Sequence, residues 1–239
     1  MTDYKAVDQA NQLPQGIIIS CQAPEGSPLR DPAIMAALAR AAEKAGAAGI
    51  RAEGADDIAR IAESVSLPII GIRKKVYPDS DVYITPTKAE IDLISHAGAK
   101  IVALDATSRP RPGGETLAEV VSYAKSLGLI VMADLSSSDD AAGAVAAGVD
   151  VLGTTLVPVS DEDIRPGGPN LAVIERLAST YPDRQIIAEG RFSTPADAKA
   201  AFQAGASTVV IGKAVTDAYA LTYDLVTAAN PAAAFRTIG

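Results

Sequence analysis

The chain has 239 residues, of which 48% are hydrophobic and 21% charged, so it can bury the core of one large domain. A net charge of −8 and an aromatic content of 4% argue against a nucleic-acid partner. The single cysteine, Cys21, and the single histidine, His96, argue against disulfide frameworks, multi-ligand metal sites and histidine-based triads.

Eight short apolar runs alternate with eight helical patterns along the chain. In order, the apolar runs predict strands at residues 16–20, 48–50, 67–72, 101–104, 129–135, 151–152, 185–188 and 208–211. The helical patterns predict helices at residues 34–44, 55–63, 88–95, 117–126, 139–147, 171–179, 195–204 and 216–228. Continuous apolar strands separated by helices are typical of a parallel sheet that helices cover.

Eight strand–helix units in this length predict an α/β fold, the (β/α)8 TIM barrel, as a single domain over residues 1–239. Residues 1–15 are an N-terminal extension and residues 230–239 a tail in this prediction. A doubly wound open sheet is the alternative, which the lack of a Gly-x-Gly-x-x-Gly motif after the first strand disfavours. Because no apolar run reaches the roughly 18 residues of a membrane span, and residues 1–15 lack a signal-like segment, we expect a cytoplasmic protein with no membrane partner.

Polar side chains follow every predicted strand, at the end of the barrel where such folds place their active sites. Lys74, Asp105, Asp134 and Glu189 are the strongest candidates, because each shares a strand face with an apolar residue two positions earlier. Structural interpretations stay open for all four. Basic runs such as the one around Lys74 are usually solvated, the aspartates can cap loops, and Glu189 can pair with an arginine.

Two glycine turns predict a phosphate site. Gly190 and Arg191 follow the seventh strand, and Gly212 and Lys213 follow the eighth, where barrels bind phosphate through backbone N–H groups. Glycines after strands also serve tight turns. The two basic residues favour a phosphorylated small molecule, since they add positive charge within an acidic chain.

Cys21 and His96 are predicted to be structural. Cys21 has no histidine near it in the sequence and suits a buried position. His96 precedes an Ala-Gly pair at a helix carboxyl end, where a cation complements the helix dipole.

In its strand-end motifs the chain resembles the N-acylmannosamine-6-phosphate 2-epimerases. The motifs occur in order and accompany every predicted strand. They lie at residues 16–22, 49–52, 68–74, 82–86, 103–107, 111–112, 132–134, 153–156, 187–191, 194–195 and 210–215.

The resemblance implies an isomerase that converts N-acetylmannosamine 6-phosphate, a small phosphorylated amino sugar, to N-acetylglucosamine 6-phosphate without a metal or organic cofactor. By matching position, Lys74 transfers the proton and Glu189 assists ring opening or proton movement. The residues that match the family's sugar site are Gln22, Arg51, Asp105 and Asp134. The residues at the positions of its phosphate site are Gly190, Arg191, Gly212 and Lys213, and the family usually has a small residue at the last of these.

Two segments depart from the family pattern. Residues 73–77 read Arg-Lys-Lys-Val-Tyr where the family usually has Ile-Lys-Arg-Asp-Tyr, which places extra charge beside Lys74. Residues 157–160 read Val-Pro-Val-Ser where the family tends to continue with Gly-Tyr-Thr, in a loop that borders the substrate. The acyl or sugar substituent therefore stays open.

Two other functions stay open at this point. Lys74 can form a Schiff base with a keto-sugar phosphate, as in barrel aldolases, which would make the protein a lyase. The pocket can also bind a sugar phosphate without catalysis. The alanine-rich helices can pack against each other or against a second subunit, so a homodimer is the assembly that we consider.

Overall fold

Eight parallel strands close into a barrel in the computed structural model, which describes residues 14–230. The strands are β1 (Gly16–Cys21), β2 (Gly49–Glu53), β3 (Ile69–Ile72), β4 (Ile101–Asp105), β5 (Ile130–Asp134), β6 (Val151–Gly153), β7 (Gln185–Glu189) and β8 (Thr208–Ile211). They pair in sequence order, and β8 pairs with β1 to complete the ring. The predicted (β/α)8 TIM barrel is confirmed, and the doubly wound open sheet is excluded.

Helices surround the barrel and connect its strands. They are α1 (Pro32–Lys44), α2 (Ala55–Ala62), α3 (Lys88–His96), α4 (Leu117–Ser126), α5 (Asp140–Ala147), α6 (Leu171–Thr180), α7 (Pro195–Gln203), α8 (Lys213–Thr216) and α9 (Ala218–Ala229). The side chain of Asp31 accepts a hydrogen bond from the Ala33 N–H before α1, and Thr194 accepts one from the Asp197 N–H before α7. Both caps precede a first-turn proline, whose missing N–H has no partner in a helix anyway.

Alternate residues of the strands fill the barrel interior. The buried apolar side chains of this inner cluster are Ile18, Ile70, Ile72, Ile84, Ile101, Ala103, Met132, Val151, Ile187 and Val210. The candidates Lys74, Asp105, Asp134 and Glu189 follow on the same faces at the carboxyl end, as the alternation predicted. The barrel interior is therefore apolar along the strands and polar at the carboxyl-end mouth.

A glycine in β6 makes room for the side chains at this mouth. A Cβ at Gly153 would lie 2.4 Å from Cε of Met132, closer than packed carbons approach. The sulfur of Met132 in turn lies 3.6 Å from Nη1 of Arg51. Gly153 thus lets the Met132 side chain support a buried guanidinium.

Five strands reach further toward their carboxyl ends than predicted, and three of them, β2, β4 and β7, continue into charged residues. Arg51 and Glu53 lie inside β2, and Asp105 and Glu189 are the last residues of β4 and β7. The prediction ended each of these three strands at the last residue of its apolar run. A charged residue can continue a buried strand when an oppositely charged group elsewhere in the barrel compensates it. The apolar pattern of the sequence does not show where that group lies.

The helix predicted at residues 216–228 corresponds to α9, which begins two residues later than predicted, and the prediction lacked the short helix α8 before it. Asp217 separates α8 from α9, with φ −102° and ψ 73°, and its side chain accepts a hydrogen bond from the Ala220 N–H. Aspartate competes with the helix backbone for N–H groups, so it starts a new helix here rather than continuing the first.

The chain ends lie mostly outside the described residues. Of the extension predicted at residues 1–15, only residues 14 and 15 are described, and the Pro14 carbonyl accepts a hydrogen bond from the Thr208 hydroxyl at 2.6 Å. Of the tail predicted at residues 230–239, only Asn230 is described. Between residues 14 and 230, no helix combines the length and apolar character that crossing a membrane requires.

Candidate active site

A buried ion pair forms the base of the candidate site. Arg51 from β2 and Asp134 from β5 meet in the barrel interior, with 2.6 Å between Nη2 and Oδ2 and 3.2 Å between Nη1 and Oδ1. Their side chains are 1% and 0% exposed. Burial disfavours the guanidinium charge, but Asp134 and Glu189 outweigh this effect and raise the pKa of Arg51. Arg51 therefore stays charged and fixes the Asp134 carboxylate in two-point contact.

Glu189, at the end of β7, borders this pair. Its Oε2 lies 3.0 Å from Nη1 of Arg51 and 3.2 Å from the hydroxyl of Thr155, which also lies 2.6 Å from Oδ1 of Asp134. Burial raises the pKa of Glu189 to about 7, although the charge of Arg51 acts in the opposite direction. A carboxyl with such a pKa can hold or release a proton near neutral pH.

The basic run at residues 73–75 distributes its charges among different partners. Arg73 forms an ion pair with Glu53 at 3.0 Å, and Lys75 forms one with Glu90 at 3.2 Å. Among the residues that the structure describes, Lys74 between them has no carboxylate within ion-pair distance. Lys74 and Lys75 are exposed and Arg73 is partly buried, so the run is largely solvated as such runs generally are, while two of its three charges also have a carboxylate partner.

The amine of Lys74 has a neutral partner. Its Nζ lies 2.8 Å from Oε1 of Gln22, whose amide nitrogen donates to the hydroxyl of Ser20 at 2.7 Å. A cavity of about 650 Å³ opens beside Lys74 and Gln22. The Lys74 side chain is exposed overall, but partial desolvation at the barrel mouth lowers its pKa, and the nearby charge of Arg51 lowers it further. Both effects favour the neutral amine, which is the form that can accept a proton.

The segment after β3 folds back over the barrel mouth. Lys74 forms an antiparallel bridge with Ile84, and the Lys75 N–H donates to the Tyr83 carbonyl at 2.9 Å. Tyr83 is 36% exposed. Burial raises the pKa of its phenol, and the charge of Asp134 adds to this effect. Tyr83 therefore offers an O–H donor at the mouth.

Asp105 lies beside Asp134 in the register of β4 and β5, but a neighbouring loop occupies its carboxylate. Its Oδ1 accepts from the N–H and the hydroxyl of Thr107 at 3.0 and 2.7 Å, and its Oδ2 lies 2.7 Å from Nη2 of Arg109. The Asp105 side chain is 0% exposed. It holds the loop after β4, and direct contact with a sugar stays a prediction.

The turn after β7 directs its arginine away from the expected phosphate position. The guanidinium of Arg191 donates to three carbonyls of the loop at residues 157–168, at 2.6 to 3.1 Å, and pairs with Asp163 at 3.0 Å. Gly190 and Arg191 have φ of +112° and +63°. Their N–H groups have no acceptor among residues 14–230.

The turn after β8, the strand next to β7, also has a basic side chain that pairs with a carboxylate and backbone N–H groups without an acceptor. Nζ of Lys213 lies 2.8 Å from Oδ2 of Asp224 on α9, and both side chains are more than half exposed. The N–H groups of Gly212 and Lys213 likewise have no acceptor in the described part of the chain. A Cβ at Gly212 would lie 3.3 Å from Cβ of Ser20, so the turn packs tightly on β1.

Cys21 and His96 occupy structural positions, as predicted. Cys21 is 0% exposed, and burial raises the pKa of its thiol to about 12. His96 is the last residue of α3, and its Nδ1 lies 2.7 Å from the Asp92 carbonyl.

Five of the predicted site residues act on one another at the mouth: Gln22, Arg51, Lys74, Asp134 and Glu189. The sequence interpretation did not include Thr155 and Tyr83 in the site. Thr155 was visible as a polar residue after the sixth strand, but a hydroxyl gives no charge signal. Nothing local in the sequence indicates that Tyr83 folds back over the mouth.

Comparison with known proteins gives consistent results. A family model described as "Putative N-acetylmannosamine-6-phosphate epimerase" matches residues 35–230. A relative named "Putative N-acetylmannosamine-6-phosphate 2-epimerase" from Clostridioides difficile (strain 630) is 45% identical over 200 residues, which cover 84% of this chain and 89% of the relative. A relative of the same name from Caldanaerobacter subterraneus subsp. tengcongensis is 44% identical over 223 residues, which cover 92% and 94%.

A solved structure is also similar. It is described as the structural and biochemical characterization of the N-acetylmannosamine-6-phosphate 2-epimerase from Clostridium perfringens. Its TM-score is 0.86 at 35% sequence identity, and the match covers 95% of this chain and 99% of that chain.

Proposed function

The chain belongs to the N-acetylmannosamine-6-phosphate epimerase family, and from this premise we propose that it inverts C2 of N-acetylmannosamine 6-phosphate to give N-acetylglucosamine 6-phosphate. One observation in the site carries this assignment. The Lys74 amine, whose partner is a neutral amide, and the Glu189 carboxyl, which borders Arg51, lie at the same end of the barrel. The two side chains supply a base and an acid for moving a proton at a carbon next to a carbonyl.

Lys74 is the proposed base. In the open-chain sugar, the C1 aldehyde acidifies the hydrogen on C2. As this proton moves to the neutral amine, the electrons of the C2–H bond move toward the C1 oxygen. As the electrons return from the C1 oxygen, C2 takes up a proton on its opposite face from the acid form of Glu189, which completes the inversion. The lowered pKa of Lys74 increases the fraction of amine that is neutral and able to begin this sequence.

Glu189 is the proposed acid. In its protonated form it can supply a proton to the ring oxygen during ring opening, or to the C1 oxygen as negative charge develops there. Arg51 and Asp134 fix the position of Glu189 but are bound to each other. Gln22 orients the Lys74 amine through its amide oxygen.

The substrate phosphate is proposed to bind backbone amides at the turns after β7 and β8. The N–H groups of Gly190, Arg191, Gly212 and Lys213 have no acceptor among residues 14–230. Strands β7 and β8 are adjacent, so these donors lie on one side of the mouth. The side chains of Arg191 and Lys213 pair with Asp163 and Asp224, so the phosphate contacts proposed here come from the backbone.

Three further predictions belong to this proposal. The reaction requires no metal or organic cofactor, because the base, the acid and the amides come from this chain, and activity should persist in a chelator.

The assembly is a homodimer, which sedimentation velocity would check. The protein acts in the cytoplasm, which cell fractionation would check.

The comparisons support the epimerase over the Schiff-base lyase. Borohydride treatment in the presence of a keto-sugar phosphate separates the two reactions. A lyase leaves a stable mass adduct on Lys74. An epimerase that uses Lys74 only for proton transfer leaves the lysine unmodified.

Proton NMR of N-acetylmannosamine 6-phosphate with the purified protein in D₂O tests the proposal directly. Growth of the anomeric signals of N-acetylglucosamine 6-phosphate is expected, with deuterium at C2 if the transferred proton exchanges with solvent. An unchanged spectrum at high enzyme concentration would rule out this substrate and favour the binding-only or lyase alternatives.

A further inference from the structure

Thr155, directly after β6, contacts both carboxylates of the site. Its hydroxyl oxygen lies 2.6 Å from Oδ1 of Asp134 and 3.2 Å from Oε2 of Glu189. A hydroxyl group carries one hydrogen, so it can donate to one carboxylate only. The hydrogen of the second contact must come from the other partner.

Asp134 is the acceptor of the threonine hydrogen. The contact of Thr155 with Asp134 is the shorter of the two, at 2.6 Å against 3.2 Å. Asp134 is also held by both terminal nitrogens of Arg51, which favours an ionised carboxylate that only accepts hydrogen bonds. The Thr155 oxygen then has lone pairs left for a donor on its other side.

Arg51 does not supply a hydrogen bond to Glu189 in this arrangement. Its Nη1 carries two hydrogens, and these are directed at Oδ1 of Asp134 and at the sulfur of Met132. The 3.0 Å between Nη1 and Oε2 of Glu189 is therefore a close contact without a hydrogen of its own. Neither Thr155 nor Arg51 has a hydrogen left for Glu189.

We propose that Thr155 is a positioning residue that donates to Asp134, accepts a hydrogen bond from the carboxylic acid form of Glu189, and so keeps Glu189 protonated in the resting enzyme. The inference rests on the proposed function, because it concerns the group assigned there as the acid. The charged groups that act on Glu189 are Arg51 from β2, Lys74 after β3 and Asp134 from β5. The enzyme then meets its substrate with an acidic proton already in place opposite the lysine base.

The proposal predicts the direction in which the pKa of Glu189 changes when Thr155 is replaced. Thr155→Val removes the hydroxyl and keeps the shape of the side chain, so the acid form of Glu189 loses its acceptor. The acid dissociation constant of Glu189 should rise roughly three- to tenfold, so that Glu189 titrates at lower pH. Thr155→Ser keeps the hydroxyl and should titrate as the wild type does. If Thr155 instead donated to an ionised Glu189, Thr155→Val would move the titration to higher pH.

Carbon-13 NMR of the glutamate carboxyl carbons measures this titration without substrate, with Glu189→Gln to assign the resonance. Thr154→Val is the matched control, because the Thr154 hydroxyl bonds the Glu189 backbone and not its carboxyl. An unchanged or upward-shifted titration in Thr155→Val, or an equal shift in Thr154→Val, overturns the proposal.

Two results keep the inference separate from the epimerase assignment. The wild-type resonance must report a protonated Glu189 at pH 6, and an ionised carboxyl there overturns the inference even if no variant folds. If the protein has epimerase activity but Glu189 is ionised at pH 6, the role proposed for Thr155 is wrong and the proposed function stands. If Glu189 is protonated but the protein has no epimerase activity, the proposed function is wrong and the hydrogen-bond assignment stands.

Discussion

Arg51 and Asp134 join β2 to β5 through the barrel interior by two hydrogen bonds, while both side chains are almost completely buried. Each charge compensates the other, and the acid–base residues lie around them. The pair therefore affects both the stability of the barrel and the position of the acid–base residues, since loss of either partner leaves the other charge buried without its main partner.

Replacement of Asp134 by alanine should strongly destabilise the fold. Arg51 would keep its charge without its main acceptor, and breaking a buried pair in this way costs about 3–5 kcal/mol. The free energy of unfolding from urea titration, followed by circular dichroism, measures this loss. Glu63→Ala is the control, because it breaks the exposed pair of Arg60 and Glu63 and should change stability little. Equal losses in the two variants would contradict the buried-pair argument.

Lys74→Met should abolish epimerisation while the protein stays folded. Methionine fills much of the same space but cannot accept the C2 proton, so kcat should fall by about two to four orders of magnitude. The matched control is Lys75→Met, since the neighbouring amine pairs with Glu90 on α3. Initial rates from NMR and the circular dichroism of both variants check the prediction. Substantial activity in Lys74→Met would assign the proton transfer to another group.

Strand alternation was enough to group Lys74, Asp134 and Glu189 with the apolar residues of one strand face, and the structure places those apolar residues inside the barrel. It works because a strand face is set by a two-residue period, which is local information. The contacts of Arg191 were not predictable in this way. Its guanidinium binds carbonyls of the loop at residues 157–168, whose conformation depends on contacts distant in sequence.

The two-sided contact of Thr155 has the same origin as the unpredicted Arg191 contacts. It requires Asp134 and Glu189 to approach one hydroxyl from strands on either side of β6. Barrel register sets that approach, and register involves residues far apart in the chain. Sequence patterns therefore predicted most of the charged residues that meet in the candidate site but not the neutral group that joins two of them.

The raised pKa of Glu189 should make part of the stability depend on pH. The neutral acid is favoured in the folded protein up to about pH 7, whereas the ordinary value of 4.5 applies to the unfolded chain. The contribution of Glu189 is therefore fully present below pH 4.5 and is lost as the pH rises through about 7. Glu189→Gln lacks this contribution, so the wild type should lose stability relative to the variant between pH 5 and pH 8. Urea titrations of both proteins at the two pH values measure the difference, and a constant difference would contradict the raised pKa.

Arg191→Ala should loosen the loop after β6 while leaving phosphate recognition in place. Alanine carries a Cβ as arginine does, so the substitution leaves the steric cost of the left-handed backbone at φ +63° unchanged, and the backbone amide stays. The loop at residues 157–168 loses its guanidinium contacts and should become more sensitive to limited proteolysis. Asp163→Asn removes one of the same contacts and should act in the same direction more weakly.

The ratio of kcat/KM for N-acetylmannosamine 6-phosphate to that for unphosphorylated N-acetylmannosamine separates the two roles of Arg191. We expect this ratio to change little, because the proposed phosphate donors are backbone amides. A fall of a hundredfold or more would mean that the guanidinium leaves the loop to bind the phosphate during the reaction.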